Sequence, residues 1–308
     1  MKKPDIFSDK TPSVFSSSSK FAQCKRNFDQ WLPEFEGYCK NAGLLGQRLL
    51  EEYPETGCEA VLDFDQFNEI TNDLLGGHYS PRDNEIHIGL ASLESKEALF
   101  HILFHESIHA LQYHNCASCS ANMSYSSLPI ALSPMDQITQ IILEERDAWV
   151  KTHYFLYDLE AGTPHDKLTK SLIESSESIV AHETHHDGLN FYEWYINYAL
   201  AYYEDIVAWH KDYGETDFEY VKLDKLDAWK MGNTLNINSF FEHQDHAQYP
   251  IDIKMTDEQK ERITALEDAL DIKENMSLRT LSEAITAHGL DYKTYLQNNL
   301  KKIREKRS

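Results

Sequence analysis

The sequence predicts an α+β protein dominated by helices, with a small sheet that includes an edge strand and a mostly helical second half. Three observations carry that prediction. Apolar residues recur with helical periodicity in long stretches between Phe21 and Ile303, with no repeat at solenoid periods. One short segment, "GGHYSPRDNEIHIGL" (76–90), instead places turn residues beside β-branched positions. The chain has 308 residues, 41% of them hydrophobic, which is enough for a substantial core.

The elements follow in order. Residues 1–20 contain four consecutive serines and few large apolar groups, and are expected to be unstructured. From Phe21 to Leu50 the pattern is helical, with a start expected near Pro33-Glu34. Within 76–90, Gly76-Gly77 and Ser80-Pro81 signal turns, and Ile86-His87-Ile88 signals a strand or hairpin. No Gly or Pro interrupts Leu93 to His114, so a long helix is expected there, with Ser92 as its N-cap. Ser133-Pro134-Met135-Asp136 opens a second strong helix, with a capping serine, proline at the first helical position and an acid at the third. It should run to about Glu160 and stop near Gly162 and Pro164. An aromatic-rich helix at 191–210, an amphipathic one at 256–272 and one or two more in 277–303 complete the reading. The expected organisation is an unstructured 1–20, a core at 21–165, a helical extension completing it at 166–250 and a C-terminal helical region at 251–308.

Charge and cysteine usage narrow the function classes. A net charge of −22 argues against a nucleic-acid surface, which needs clustered cations to displace counterions. The basic stretch Lys301-Lys302-Ile303-Arg304-Glu305-Lys306-Arg307 reads as the solvated end of a helix. No apolar run approaches the roughly 18 residues of a membrane span, and the N-terminus lacks the apolar segment of a secretory signal. Five cysteines, an odd number, suit free thiols in a reducing compartment, so a cytoplasmic location is expected. Export by a specialised secretion system stays open, as does the oligomeric state.

The chemistry concentrates in "LFHILFHESIHALQYH" (99–114), where His105-Glu106-Ser107-Ile108-His109 forms H-E-x-x-H. On a helix, residues four apart lie on one face, so His105 and His109 can share one Zn²⁺. Glu106, turned about 100° from His105, is placed to act on a metal-bound water rather than on the metal. His182-Glu183-Thr184-His185-His186 matches the same pattern, but Asp187-Gly188 and polar neighbours mark it as a solvated loop or helix end. His101 extends the histidine stripe without a following acid and reads as packing or support. Cys116-Ala117-Ser118-Cys119 is half a zinc site at most and reads as a pair of loop thiols.

A catalytic zinc needs a third protein ligand, and "LEERDAW" on the next helix offers Glu144, Glu145 and Asp147. "GHYSPRDNEIHI", "FHESIHALQ" and "EERDAW", in that order, resemble the H-E-x-x-H zinc metallopeptidases of the gluzincin type. The resemblance is nearest to an uncharacterised bacterial family described as metallopeptidases, with H-E-x-x-H-A-L-Q in its active-site helix. It covers about residues 75–160. Gln112 and Asn115 depart from the longer metzincin motif, which needs glycine and a third histidine there. The resemblance implies a zincin-like core with Glu145 as third ligand in an E-x-[ED]-A pattern, and Asp147 orienting a ligand histidine. Glu144 stays a rival.

The function expected is a zinc-dependent peptide-bond hydrolase acting on a peptide or protein, with Glu106 as general base. An extended substrate would add along an edge strand near Ile86–Ile88. The donor that stabilises the transition state is not assignable from 17 tyrosines. The alternatives are a non-catalytic regulatory or interaction protein on the same scaffold, and a zinc amide hydrolase with a non-peptide substrate.

Overall fold

A computed structural model describes residues 14–62, 76–121, 126–161, 189–213, 218–235, 253–272 and 278–307. It is a helix-rich α+β fold. Helices α1 (Val14–Asn41) and α2 (Gly43–Glu52) precede strands β1 (Glu59–Leu62), β2 (Gly77–Ser80) and β3 (Glu85–Ile88). Then come α3 (Lys96–Asn115), β4 (Ile130–Leu132) and α4 (Pro134–Ala161). The second half holds α5 (Phe191–Tyr213), β5 (Glu219–Val221), α6 (Lys225–Met231), α7 (Asp257–Ala269), α8 (Leu281–Ala287) and α9 (Tyr292–Arg307).

Three expectations change. Helix α1 begins at Val14, inside the stretch read as unstructured, and runs through Pro33 rather than starting there. An interior proline costs a helix roughly 3 kcal/mol. Here Cys24, Phe28, Trp31, Leu32 and Phe35 keep one apolar face in register across it, against the α3 side of the core. The cap of α3 is Ser95, whose Oγ accepts from Ala98 N at 3.1 Å. Ser92 instead sits in a short 3₁₀ turn (Leu90–Leu93) and donates to the Gly76 carbonyl.

The third change concerns the sheet, whose order is β1-β3-β2. Strand β3 pairs parallel with β1 and antiparallel with β2, so Ile86–Ile88 is central and cannot accept an added peptide. The edges are β1 and β2. Burial of Ile86, His87 and Ile88 alike is the mark of an interior strand. Strand β2 lies hard against α3: a Cβ at Gly77 would come 2.6 Å from Ile102 Cγ2, so only glycine permits that approach.

Helix α3 is the centre of the packing. Leu99, Phe100 and Leu103 face the sheet side, and Phe104, Ile108 and Leu111 face α2 and α4. Phe104 stacks on Phe155 of α4 with ring centroids 4.1 Å apart. Helix α5 covers α4 through Phe191, Tyr195 and Ile196. The small parallel pair β4–β5 packs with α8 and α9. No helix among the described residues is long and apolar enough to cross a membrane. All five cysteines are buried and free, Cys116 and Cys119 included, and burial pushes the Cys39 thiol up to about 12.

Candidate metal centre

The long apolar run of α3 buries the H-E-x-x-H segment, and polar groups carried there must be satisfied by something. His105 and His109 sit one turn apart with their Nε2 atoms 3.2 Å from each other. Glu145 of α4 completes the group: Oε2 lies 3.5 Å from His105 Nε2 and Oε1 3.6 Å from His109 Nε2. A tetrahedral zinc with bonds of about 2.0–2.2 Å spaces its ligand atoms roughly 3.3–3.6 Å apart. One donor atom from each of the three residues lies within 4.8 Å of the others, and two imidazoles with a carboxylate are a donor set able to hold a divalent transition metal. Among the described residues, no other group of three or more such side chains converges in this way.

His109 and Glu145 stabilise opposite charges on each other. Burial disfavours protonated His109, but the Glu145 carboxylate, helped by Glu106 and Glu144, outweighs it and holds that imidazole well above its ordinary pKa. Burial likewise opposes ionised Glu145, and His109 and His105 outweigh it and hold that carboxyl well below its usual range.

Glu106 is buried beside this group but points to the sheet. Its Oε2 accepts from the backbone N–H of Tyr79 on β2 at 2.8 Å. Glu144 faces elsewhere: its Oε1 accepts from Gln140 Nε2 at 2.7 Å, and burial raises its carboxyl. The two acids are adjacent on α4 and therefore about 100° apart around the helix, and only Glu145 is aimed at the histidines.

Asp147 does not touch a histidine. Its carboxylate pairs with Lys151 and accepts from Thr234 N at 3.3 Å and Gln112 Nε2 at 3.4 Å. The residue that orients His109 is Gln112, whose Oε1 lies 2.8 Å from His109 Nδ1. The amide is held in one sense, because Nε2 faces only acceptors: the carbonyls of Glu144 (3.0 Å) and Met231 (3.3 Å) and Asp147 Oδ2. Oε1 must then accept a proton from Nδ1, which leaves the Nε2 lone pair for a metal. Asp147 thus acts on His109 one residue removed. Replacing Gln112 with Leu should weaken zinc binding by about 10–100-fold while the chain still folds. Competition with a chromophoric chelator checks this, and unchanged affinity would deny Gln112 its role.

Aromatic side chains close the other side. The His105 ring packs on Trp149 with centroids 4.7 Å apart, and His101 meets the same indole edge-on. Trp149 Nε1 donates to the Tyr195 hydroxyl at 3.0 Å. Burial first, then the Glu145 carboxylate, pushes the Tyr195 phenol well up, so this hydroxyl stays protonated beside Glu145. Sequence reasoning missed Tyr195 because α5 read as core packing. Gln112 had a usable signal, a buried amide three residues after the second histidine. The Tyr79 contact is made by backbone and has no side-chain signature. The second motif, His182 to His186, lies outside the described residues.

Comparisons with protein-family models, with curated proteins and with solved structures return no match for this chain.

Proposed function

We propose that the chain is a zinc-dependent peptide-bond hydrolase, and the observation that carries the proposal is the His105–His109–Glu145 group with Glu106 adjacent to it but outside it. Bound there, zinc would serve as a Lewis acid that polarises the substrate carbonyl and makes a water molecule more acidic. Glu106 takes the proton as the water oxygen bonds to the carbonyl carbon. It then returns the proton to the departing nitrogen as the C–N bond breaks. Tyr79 N–H fixes one carboxylate oxygen of Glu106 and leaves the other for the proton. Gln112 holds His109 in the tautomer that presents Nε2. Tyr195 keeps a protonated hydroxyl against Glu145 and accepts from Trp149 Nε1. An acid at position 106 supports catalysis over a purely structural metal site, since a structural site closes its coordination and needs no base.

The test uses the full chain loaded with one equivalent of Zn²⁺ and a mixed peptide library read by mass spectrometry. Cleavage that disappears on chelation and returns with zinc is the expected result. A zinc-loaded wild type that cleaves no peptide, protein or simple amide would favour the non-catalytic alternative.

A further inference from the structure

Helix α5 lays a row of aromatic side chains from the candidate metal centre to the surface. Its inner end is Tyr195, whose hydroxyl accepts from Trp149 Nε1 at 3.0 Å while the Trp149 indole packs on the His105 ring. One turn further along lies Tyr198. Its ring centroid is 6.4 Å from that of Tyr195 in an edge contact. The Trp194 indole stacks on it, with centroids 5.5 Å apart and the planes only 6° from parallel. Tyr195 is buried, whereas Tyr198 is 50% exposed, and Tyr202 continues the row outward at 39%. Trp194 covers one face of the Tyr198 ring and leaves the rest of it to solvent.

Charge ties this ring to the reacting groups. Burial, then Glu145, Tyr202 and Glu106 in turn, raise the Tyr198 phenol above its ordinary pKa. Carboxylates act on a half-exposed phenol in this way only at short range, which puts Tyr198 at the rim of the candidate site. Both of those acids are negative, and the chain as a whole carries −22. An anion is repelled from such a place, and an apolar group would gain nothing from the field. A cation is drawn by the π face and by the acids together.

We propose that the Trp194–Tyr198 pair receives a cationic side chain of the peptide substrate, arginine above all, by stacking of its guanidinium on the open part of the Tyr198 ring. The substrate role rests on the hydrolase reading; the binding of a guanidinium does not. Arginine surpasses lysine because its planar group lies flat on a ring while its N–H groups remain free to meet carboxylates. Zinc, once bound, offsets Glu145 but leaves the aromatic face, Glu106 and the acidic remainder of the chain. A cation on such a face gains about two- to thirtyfold in affinity.

Two fluorescein-labelled pentapeptides test the pair without catalysis: Gly-Gly-Arg-Gly-Gly and its citrulline counterpart, which keeps the shape and lacks the charge. They are titrated with the full chain, stripped of zinc, at about 0.15 M salt and read by anisotropy. The arginine peptide should bind at least about fivefold more tightly. Tyr198→Leu should bring that ratio to about one, and Tyr198→Phe, which keeps the ring, should hold it within about twofold of wild type. Circular dichroism checks the fold of each variant. Equal binding of the two peptides, or a preference that survives Tyr198→Leu, overturns the proposal. So does tighter binding of a phenylalanine counterpart, which would make the pair an apolar site. With zinc restored, cleaved library peptides should be enriched in arginine at one fixed distance from the bond, and Tyr198→Leu should remove the enrichment. Arginine preference without any cleavage would sustain the aromatic pair and sink the hydrolase reading. Cleavage without arginine enrichment would sink the pair and leave the hydrolase standing.

Discussion

A Glu106→Gln protein should fold, bind one zinc and lose at least 100-fold in peptide hydrolysis. The fold should survive because the glutamine amide retains an oxygen able to accept from Tyr79 N–H, the contact that Glu106 Oε2 makes at 2.8 Å. The metal should stay because Glu106 is not among the converging ligand atoms of His105, His109 and Glu145. What disappears is the group that accepts a proton from the attacking water, and such general-base help is worth about 10²–10⁴ in rate. The loss should fall on kcat and on kcat/KM by similar factors, because the proton moves only in the transition state. Turnover of one good library substrate, with zinc measured in both proteins, decides it. A variant as active as wild type would leave the histidines as a metal site and remove Glu106 from the mechanism.

The candidate site is legible where chemistry and periodicity coincide. His105 and His109 are four residues apart on an uninterrupted apolar helix, so their shared face follows from helical geometry alone. The helix opening at Ser133-Pro134 was equally readable, since the cap, the proline and Asp136 are all local; Ser133 Oγ accepts from Asp136 N in the structure. Tertiary packing decided what local signals could not. Pro33 signals a helix start locally, but Phe28, Trp31 and Phe35 pack on one face across it. Ile86–Ile88 was recognisable as a strand, but its central place depends on β1, which is remote in sequence and pairs with it in parallel. The resemblance implies that Asp147 orients a ligand histidine, whereas its carboxylate meets Lys151, Thr234 and Gln112. Gln112 fills the space between it and His109, and only the packing of α3 against α4 shows that a longer side chain stands there.

The choice between Glu144 and Glu145 is of the same kind, and it carries the second large effect. Both are acids on α4, adjacent in sequence and about 100° apart, so composition cannot separate them. Packing can. Glu145, Trp149 and His153 form an i, i+4, i+8 stripe on the side of α4 that meets the α3 histidines. Glu144 is turned to Gln140, with its carboxyl raised by burial. Glu145→Gln exchanges an anionic ligand for a neutral amide that binds Zn²⁺ poorly. Loss of a supporting residue costs about 10–100-fold in metal affinity, and loss of a ligand should exceed that range. Zinc affinity of Glu145→Gln should therefore fall by more than about 100-fold, taking hydrolysis with it. Glu144→Gln should stay within about threefold of wild type, because a neutral amide suits its buried position and can still accept from Gln140. Titration of both variants against the same chelator measures the difference. Equal losses, or a larger loss at Glu144, would mean that α4 presents a different face to the metal, and the Glu145 register would have to be abandoned.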